Sequence, residues 1–205
     1  MKYPLFLTRP AMVSSLGEGI ETHLDVLLNG GESPLHLSDM PFKLFDLNGK
    51  KSFLGEVSVN LRPFPDDLPP EHRSRNNQLL WHTLAQIESQ IQEVIKRFGK
   101  KRVAVVMGTS TTGVDKNVPL FKYAAEHNDW SGVTFNQQQQ YFSAPADFIV
   151  VQYGLQGLSY GISTACTSGA RALISAARLL RNGLCDAVIC GGVDTLSPLT
   201  IGGFG

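Results

Sequence analysis

Apolar positions in the middle of the chain follow two different periodicities. Between residues 74 and 98 they recur at steps of three and four, which predicts one amphipathic helix with Ser74 or Asn76 as its cap and Gly99 after its end. Residues 103–107 form a continuous apolar run with charge before it and glycine after it. That pattern predicts a strand buried on both faces and central in its sheet.

The N-terminal third has weaker patterning. Short apolar runs at residues 5–7 and 11–13 predict a first strand that bends at Pro10. A short helix should follow over residues 20–28 and close at the glycine pair Gly30-Gly31. Residues 32–70 are rich in proline and polar side chains, so we expect a surface excursion with one hairpin.

The C-terminal part predicts a strand ending near residue 162, a helix from about residue 168 to Asn182, and a buried strand at 187–190. Gly183 suits the position after the helix, and its last turns are positively charged. One helix face is predicted from apolar steps of three and four at Ala170, Leu173, Ile174, Ala177 and Leu180. The order of strands and helices predicts a layered α/β/α fold with a mixed, mostly parallel sheet.

The composition limits the class of protein but indicates no particular binding partner. The 205 residues suffice for one domain with a sizeable core, and 42% of them are hydrophobic. Eighteen basic and eighteen acidic residues cancel, which argues against a nucleic-acid or anionic-membrane surface. No run reaches the roughly 18 apolar residues of a membrane span, and the first residues do not resemble a signal peptide. We therefore expect a cytoplasmic protein.

Cys166 is the strongest candidate for chemistry. It stands in the string STACTSGA at 163–170, at the threshold of the predicted amphipathic helix. The first turn of a helix has unpaired N–H groups and the positive end of the dipole, which stabilise a thiolate relative to a thiol. The alternative is a small buried cysteine at a strand-to-helix corner. Cys185 and Cys190 are interpreted as packing residues, and we expect three free thiols and no zinc site.

A glycine-threonine loop follows the central strand and resembles a phosphate-binding loop. Residues 108–113 read GTSTTG, without the lysine of a P-loop or the glycine spacing of a dinucleotide fingerprint. Phosphate binding is therefore not the preferred interpretation of this loop.

Four ordered strings resemble the beta-ketoacyl-acyl carrier protein synthases, in particular the elongating type. They are RVAVVMGT at 102–109, ISTACTSG at 162–169, AVICGGVD at 187–194 and GGFG at 202–205. A weaker similarity lies in SSLG at 14–17, although Arg9-Pro10 stands where the family usually has small residues. The similarity is specific over about half of the chain and diffuse between these strings.

The resemblance implies a thiolase-like fold and assigns roles to individual residues. Cys166 would be the nucleophile, and its backbone N–H would be one oxyanion donor. Phe204 matches a residue that lines the acyl pocket in the family, and the loop that begins at Thr109 would lie near this pocket. The resemblance implies no metal and no cofactor.

The resemblance also implies that residues 1–205 form only the N-terminal half of a ketosynthase domain, with 32–70 as an excursion within it. In the family, the second half supplies two histidines, a lysine and the other oxyanion donor. The five histidines of this chain all precede Cys166 and are predicted to be surface or packing residues. We therefore expect either a fragment or a chain that is completed by another one.

The expected partners are acyl carrier protein and either a C-terminal half, a second ketosynthase-like chain or a second copy in a homodimer, with residues 152–163 at the dimer interface. The reaction would be acyl transfer to Cys166 and then decarboxylative condensation with a malonyl thioester, in fatty-acid or polyketide synthesis. Two alternatives stay open. One is a non-catalytic module of the chain-length-factor kind, which usually lacks the nucleophile. The other is a thiolase or priming synthase that uses coenzyme A.

Overall fold

The computed structural model describes residues 4–38, 52–198 and 200–201. The strands are β1 (Val13–Ser14), β2 (Gly17–Glu18), β3 (His36–Ser38), β4 (Ser52–Leu54), β5 (Val103–Gly108), β6 (Ser159–Ile162) and β7 (Ala187–Gly192). The α-helices are α1 (Ile20–Asn29), α2 (Arg75–Ala85), α3 (Glu88–Phe98), α4 (Val118–His127), α5 (Ala144–Tyr153) and α6 (Ser168–Arg181).

A parallel three-stranded sheet in the order β6-β5-β7 is the centre of the molecule. All six residues of β5 are buried, which confirms the prediction of a central strand. Its side chains alternate between the two faces, as strand geometry requires. Val103, Val105 and Met107 belong to one core cluster, and Ala104 and Val106 belong to the other. The sheet therefore separates two layers of helices.

The first layer contains α2, α3 and α5. Its core is built around Phe148, which is fully buried and has Trp81 and Phe64 edge-on against its ring at centroid distances of 6.1 and 6.0 Å. Such edge-to-face pairs contribute roughly 0.5–1.5 kcal/mol beyond their buried area. The second layer is α6, whose Ala172 and Leu179 pack on the other face of the sheet. The predicted α/β/α layering is confirmed for the described residues.

The sheet covers only part of the predicted apolar face of α6. Ala172, Ala176 and Leu179 are the buried apolar residues of α6, whereas Leu173 and Ile174 are 46% and 53% exposed. Leu180, one of the predicted positions, is partly buried against the same cluster as Ala172 and Leu179. The apolar surface of α6 is therefore wider than the part that the sheet covers within the described residues.

The helix predicted over 74–98 is divided in two. Ser74 caps α2, since its Oγ accepts a hydrogen bond from Asn77 N at 3.1 Å. The helix is interrupted at Ile87, which has φ −122° and ψ 16°. Directly before it, the Gln86 side-chain amide accepts from Met12 N at 3.1 Å and donates to Met12 O at 2.9 Å. These bonds to a residue 74 positions away could not be read from the local pattern. Gly99, at φ 78°, ends α3 as predicted.

The N-terminal strand is much shorter than predicted. Only Val13–Ser14 forms a strand, and it pairs antiparallel with β2. Phe6 and Leu7 are 89% and 84% exposed. A strand needs a neighbour for its backbone groups, and residues 5–7 have no partner strand among the described residues.

The predicted helix near residue 20 is confirmed by α1, which Gly30 ends at φ 77°. Within the predicted excursion, β3 and β4 pair antiparallel as the two ends of a hairpin. The far end of this segment is not all surface, since Leu68 is buried in the main core. Arg73 supports it there by donating to the carbonyls of Leu68, Pro65 and Asp66.

Candidate active site around Cys166

Cys166 lies in an exposed turn between β6 and α6. This turn is at the carboxyl edge of the parallel sheet, where β5, β6 and β7 all end. Helix α6 begins at Ser168, two residues after the cysteine, so its amino end faces the same edge. Ligand and catalytic sites of open α/β sheets occur at this edge.

The turn is held in a conformation that an unrestrained chain avoids. Ala165 has φ 54°, in the left-handed region that residues with a Cβ rarely occupy. Ser168 holds the turn by accepting from Thr164 N at 2.9 Å and donating to Ala165 O at 2.7 Å. Thr167 Oγ1 adds a bond to Thr164 O at 2.9 Å. The residues on both sides of Cys166 therefore fix its backbone.

Three glycines bring the sheet edge directly against this turn. A Cβ on Gly108 would lie 2.5 Å from the carbonyl carbon of Ser168 and 2.7 Å from Gly169 N. A Cβ on Gly192, which pairs with Gly108 across the sheet, would lie 3.3 Å from Gly169 Cα. The ends of β5 and β7 thus contact the first turn of α6 through backbone atoms, with no side chain between them.

Thr109 lies next to the Cys166 turn but is fully buried. Its N–H donates to Ile162 O at 3.0 Å, which joins the loop after β5 to the end of β6. Its hydroxyl accepts from the Asn76 amide at 3.3 Å and donates to Asp194 Oδ1 at 3.1 Å. The assignment of Thr109 to an acyl pocket stays a prediction. Phe204, the other predicted pocket residue, lies outside the described residues.

Asp194 is the residue that the sequence reasoning missed. It follows β7 and accepts four hydrogen bonds on Oδ1, from the N–H groups of Ser110 and Thr111 and from the hydroxyls of Thr109 and Thr111. An aspartate two residues after a Gly-Gly strand end, at the same sheet edge as a glycine-threonine loop, was the available signal. Two N–H groups of this loop, those of Ser110 and Thr111, are therefore already bound to a carboxylate of the chain itself.

The other two cysteines differ from Cys166 in their surroundings. Cys185 is buried, Cys190 is half-buried, and all three thiols are free. Burial raises the pKa of the Cys185 thiol and of the Cys190 thiol, because a thiolate loses hydration in an apolar environment. Both residues fit the interpretation as packing residues.

The histidines make contacts of a structural kind. His23 is buried, with Nε2 at 2.8 Å from Ser14 Oγ and Nδ1 at 2.7 Å from Gly19 O. His72 packs against Phe148, and His127 stacks on Tyr123. His82 Nδ1 accepts from a backbone N–H at 3.0 Å, and His36 Nε2 lies 3.5 Å from a glutamate oxygen. These contacts agree with the prediction of surface or packing histidines.

Residues 4–38, 52–198 and 200–201 contain no group of three or more histidine, cysteine, aspartate or glutamate side chains that could hold a metal ion. None of the helices within those ranges has the length and apolar character needed to cross a membrane.

The parallel sheet and the turn that carries Cys166 define an α/β fold with its candidate site at the carboxyl edge of the sheet, and comparison with known sequences identifies the family. Residues 74–205 match the beta-ketoacyl synthase, N-terminal domain. The chain is 42% identical over 224 aligned positions to 3-oxoacyl-[acyl-carrier-protein] synthase 2 of Coxiella burnetii, covering 99% of this chain and 49% of that one. It is 23% identical over 217 positions to the mitochondrial 3-oxoacyl-[acyl-carrier-protein] synthase of Arabidopsis thaliana, covering 97% and 46%.

Two solved structures have a fold similar to that of this chain. A ketosynthase (ApeO) in complex with its chain length factor (ApeC) from Xenorhabdus doucetiae superposes with a TM-score of 0.79 at 36% identity, over 95% of this chain and 48% of that one. A beta-ketoacyl synthase from Burkholderia phymatum STM815 gives a TM-score of 0.70 at 19% identity, over 96% and 50%, which supports the fold alone.

The chain therefore belongs to the beta-ketoacyl synthase family, has the thiolase-like ketosynthase fold and corresponds to the N-terminal part of such an enzyme. It spans about half the length of these relatives.

Proposed function

We propose that Cys166 accepts an acyl group from the thioester of an acyl carrier protein. The Cys166 thiolate attacks the thioester carbonyl, a new carbon–sulfur bond forms, and the bond to the carrier thiol breaks. The carrier thiolate leaves and takes up a proton. The observation that carries this proposal is the exposed Cys166 in the constrained turn at the amino end of α6.

The second step of the proposed reaction is condensation. A malonyl thioester loses carbon dioxide, and its carbanion attacks the acyl-Cys166 carbonyl to give a beta-ketoacyl thioester and the free Cys166 thiolate. The Cys166 N–H is proposed as one donor to the oxyanion. The remaining groups of the family's machinery belong to its second half, so the proposed condensation requires that half.

We propose the same division for the domain organisation, with residues 1–205 as one half of a ketosynthase and 32–70 as an excursion within it. Two surfaces of the described chain support a further layer or subunit. Leu173 and Ile174 leave an apolar face of α6 exposed. Strand β6 is at an edge of the sheet, with β5 as its one neighbour among the described residues.

The proposed partners are an acyl carrier protein and either a C-terminal half, a second ketosynthase-like chain or a second copy of this one. Residues 152–163, which include β6, are the proposed contact of a dimer. Thr109 and Phe204 are proposed to belong to the shell of the acyl pocket. The cytoplasmic location stays a prediction, and one of the relatives named above is mitochondrial.

The test is intact-mass spectrometry of the folded chain after incubation with octanoyl-acyl carrier protein, with octanoyl-coenzyme A in a parallel sample. We expect one octanoyl adduct, formed faster from the carrier donor. Cys166→Ala should abolish the adduct at little cost in stability, because Cys166 is exposed. Cys190→Ala makes the same substitution in β7 and should leave the adduct in place.

Each other result has a definite meaning. A folded chain without an adduct would contradict acyl transfer to this half alone and favour a non-catalytic module of the chain-length-factor kind. Faster transfer from coenzyme A would favour a thiolase or priming synthase. An adduct that persists in Cys166→Ala would contradict the assignment of the nucleophile.

A further inference from the structure

The loop after β5 converges on a single carboxylate oxygen. Ser110 N and Thr111 N donate to Asp194 Oδ1 at 2.6 and 3.1 Å. The hydroxyls of Thr109 and Thr111 donate to the same oxygen, both at 3.1 Å. Successive N–H groups of this kind form an anion-binding concavity. Here the anion is the side chain of Asp194, which follows the neighbouring strand β7.

The bonds continue from this oxygen into the rest of the fold. Thr109 Oγ1 accepts from Thr112 N at 3.2 Å and from the buried Asn76 of α2 at 3.3 Å. Thr111 Oγ1 accepts from Thr195 N at 3.0 Å. Thr112 has φ 52°, so the loop is in a conformation that needs such restraint. Asp194 thereby ties the end of β5, the end of β7 and the start of α2 into one unit.

The two strand ends that Asp194 joins are those that contact the nucleophile turn. Gly108 lies against Ser168 and Gly169, and Gly192 lies against Gly169. These are contacts between backbone atoms, so no side-chain rotation can absorb a shift of either strand end. A displacement of the loop after β5 should therefore move the first turn of α6, and with it Cys166.

We propose that Asp194 is a positioning residue that fixes the place of the Cys166 thiol through the ends of β5 and β7. This inference rests on the proposed function, because the position of the thiol matters when it accepts an acyl group. Misplacing a reacting group by about 1 Å can lower a rate by roughly 100-fold. Asp194 acts through Gly108 and Gly192.

Three variants of the 205-residue chain separate positioning from simple stabilisation. Asp194→Ala removes the acceptor, Asp194→Asn keeps an acceptor oxygen without the charge, and Thr111→Val removes one hydroxyl at nearly constant shape. Asp129→Ala is the matched control. Asp129 also accepts from an N–H and a hydroxyl, both of Ser131, but in an exposed turn after α4.

Two rates are measured for each variant beside its melting temperature. One is octanoyl transfer from carrier protein to Cys166 as a function of donor concentration. The other is iodoacetamide alkylation of Cys166 and of the buried Cys185, resolved by peptide mass. For Asp194→Ala we expect the maximal transfer rate to fall at least about 10-fold with an unchanged half-saturating donor concentration. Asp194→Asn should recover most of the rate, Thr111→Val should lose several-fold, and Asp129→Ala should match the parent chain.

A purely structural role predicts a different pattern. It would expose Cys185 to alkylation and lower the melting temperature, without changing the rate at Cys166 in the folded fraction. That pattern, or a parent-like transfer rate in folded Asp194→Ala, would overturn the inference. If Asp194→Ala does not fold, folded Thr111→Val decides, and a parent-like rate in it would overturn the inference. If the parent chain accepts no octanoyl group, the proposed function fails. The comparison of Cys166 alkylation rates between Asp194→Ala and the parent chain then still tests the positioning.

Discussion

Gly108 and Ser168 are in backbone contact across the carboxyl edge of the sheet. A Cβ at Gly108 would lie 2.5 Å from the Ser168 carbonyl carbon and 2.6 Å from its oxygen, closer than real Cβ atoms approach. Ser168 in turn bonds Thr164 N and Ala165 O, in the two residues that directly precede Cys166. The end of the central strand thus limits how closely the turn that carries Cys166 can approach the sheet.

Gly108→Ala should therefore displace the start of α6. The added methyl meets backbone atoms that cannot rotate away, so we expect a loss of about 1–3 kcal/mol in the free energy of unfolding. Gly132→Ala is the matched control, since a Cβ there meets nothing within 4 Å. Its effect should stay within about 0.5 kcal/mol. Urea unfolding of both variants measures the difference, and equal stabilities would show that the close contact does not constrain the turn.

Ala165→Gly should be at least as stable as the parent chain. A left-handed conformation costs a residue with a Cβ about 1–2 kcal/mol, which glycine avoids, although glycine loses about 0.5–1 kcal/mol more conformational entropy on folding. Ala170→Gly makes the same change inside α6 and should cost about 1 kcal/mol. Thermal unfolding ranks the two variants. If Ala165→Gly is the less stable one, the φ of 54° at this position is not a source of strain.

Neighbouring positions of α6 should respond in opposite ways to a charge. Leu173 is 46% exposed, so Leu173→Glu should change the free energy of unfolding of this chain by less than about 1 kcal/mol. Ala172 is fully buried against the sheet, and Ala172→Glu should prevent folding, because an unpaired carboxylate would be buried. Circular dichroism of both purified variants is the measurement. Unfolding of Leu173→Glu would mean that this face is covered within the chain.

The three cysteines should be alkylated at different rates at pH 7.5. Cys166 is exposed, whereas burial raises the pKa of the Cys185 and Cys190 thiols and leaves few of them as thiolate at that pH. We expect Cys166 to be labelled first by iodoacetamide, with labelling of the other two rising only at higher pH. Peptide mass mapping over time tests this order. Equal rates in the folded protein would contradict it.

Acid should weaken the ion pair that joins the residues directly before β5 and β7. Arg102 bonds both oxygens of Asp186, at 2.7 and 3.0 Å, and holds the pKa of this carboxyl below its ordinary value. The contribution to stability is therefore present above the ordinary carboxyl pKa of about 3.9, and it is lost as the pH falls through the lower pKa of the folded state. The stability difference between the parent chain and Asp186→Asn should shrink from pH 5 downward. A difference independent of pH would contradict this role of the pair.

Local sequence determined many of the elements. The cap at Ser74 and the ends at Gly30, Gly99 and Gly183 depend on residues within a few positions of each other, and the structure has glycines with positive φ at those three ends. The burial of β5 followed from five consecutive apolar residues. The place of Cys166 before α6 and the family itself were also readable, because short motifs of small residues and glycines are local features.

Tertiary structure decided what depends on distant partners. The helical pattern is interrupted at Ile87, next to the bonds between Gln86 and Met12. Residues 5–7 do not become a strand, because the described chain offers them no neighbouring strand. Helix α6 has one wide apolar surface, and only the position of the sheet determines which part of it is buried. The role of Asp194 likewise depends on donors more than 80 positions away, which parallel strand pairing brings to one edge. Periodicity records which side chains share a face, whereas burial and hydrogen bonding depend on what packs against that face.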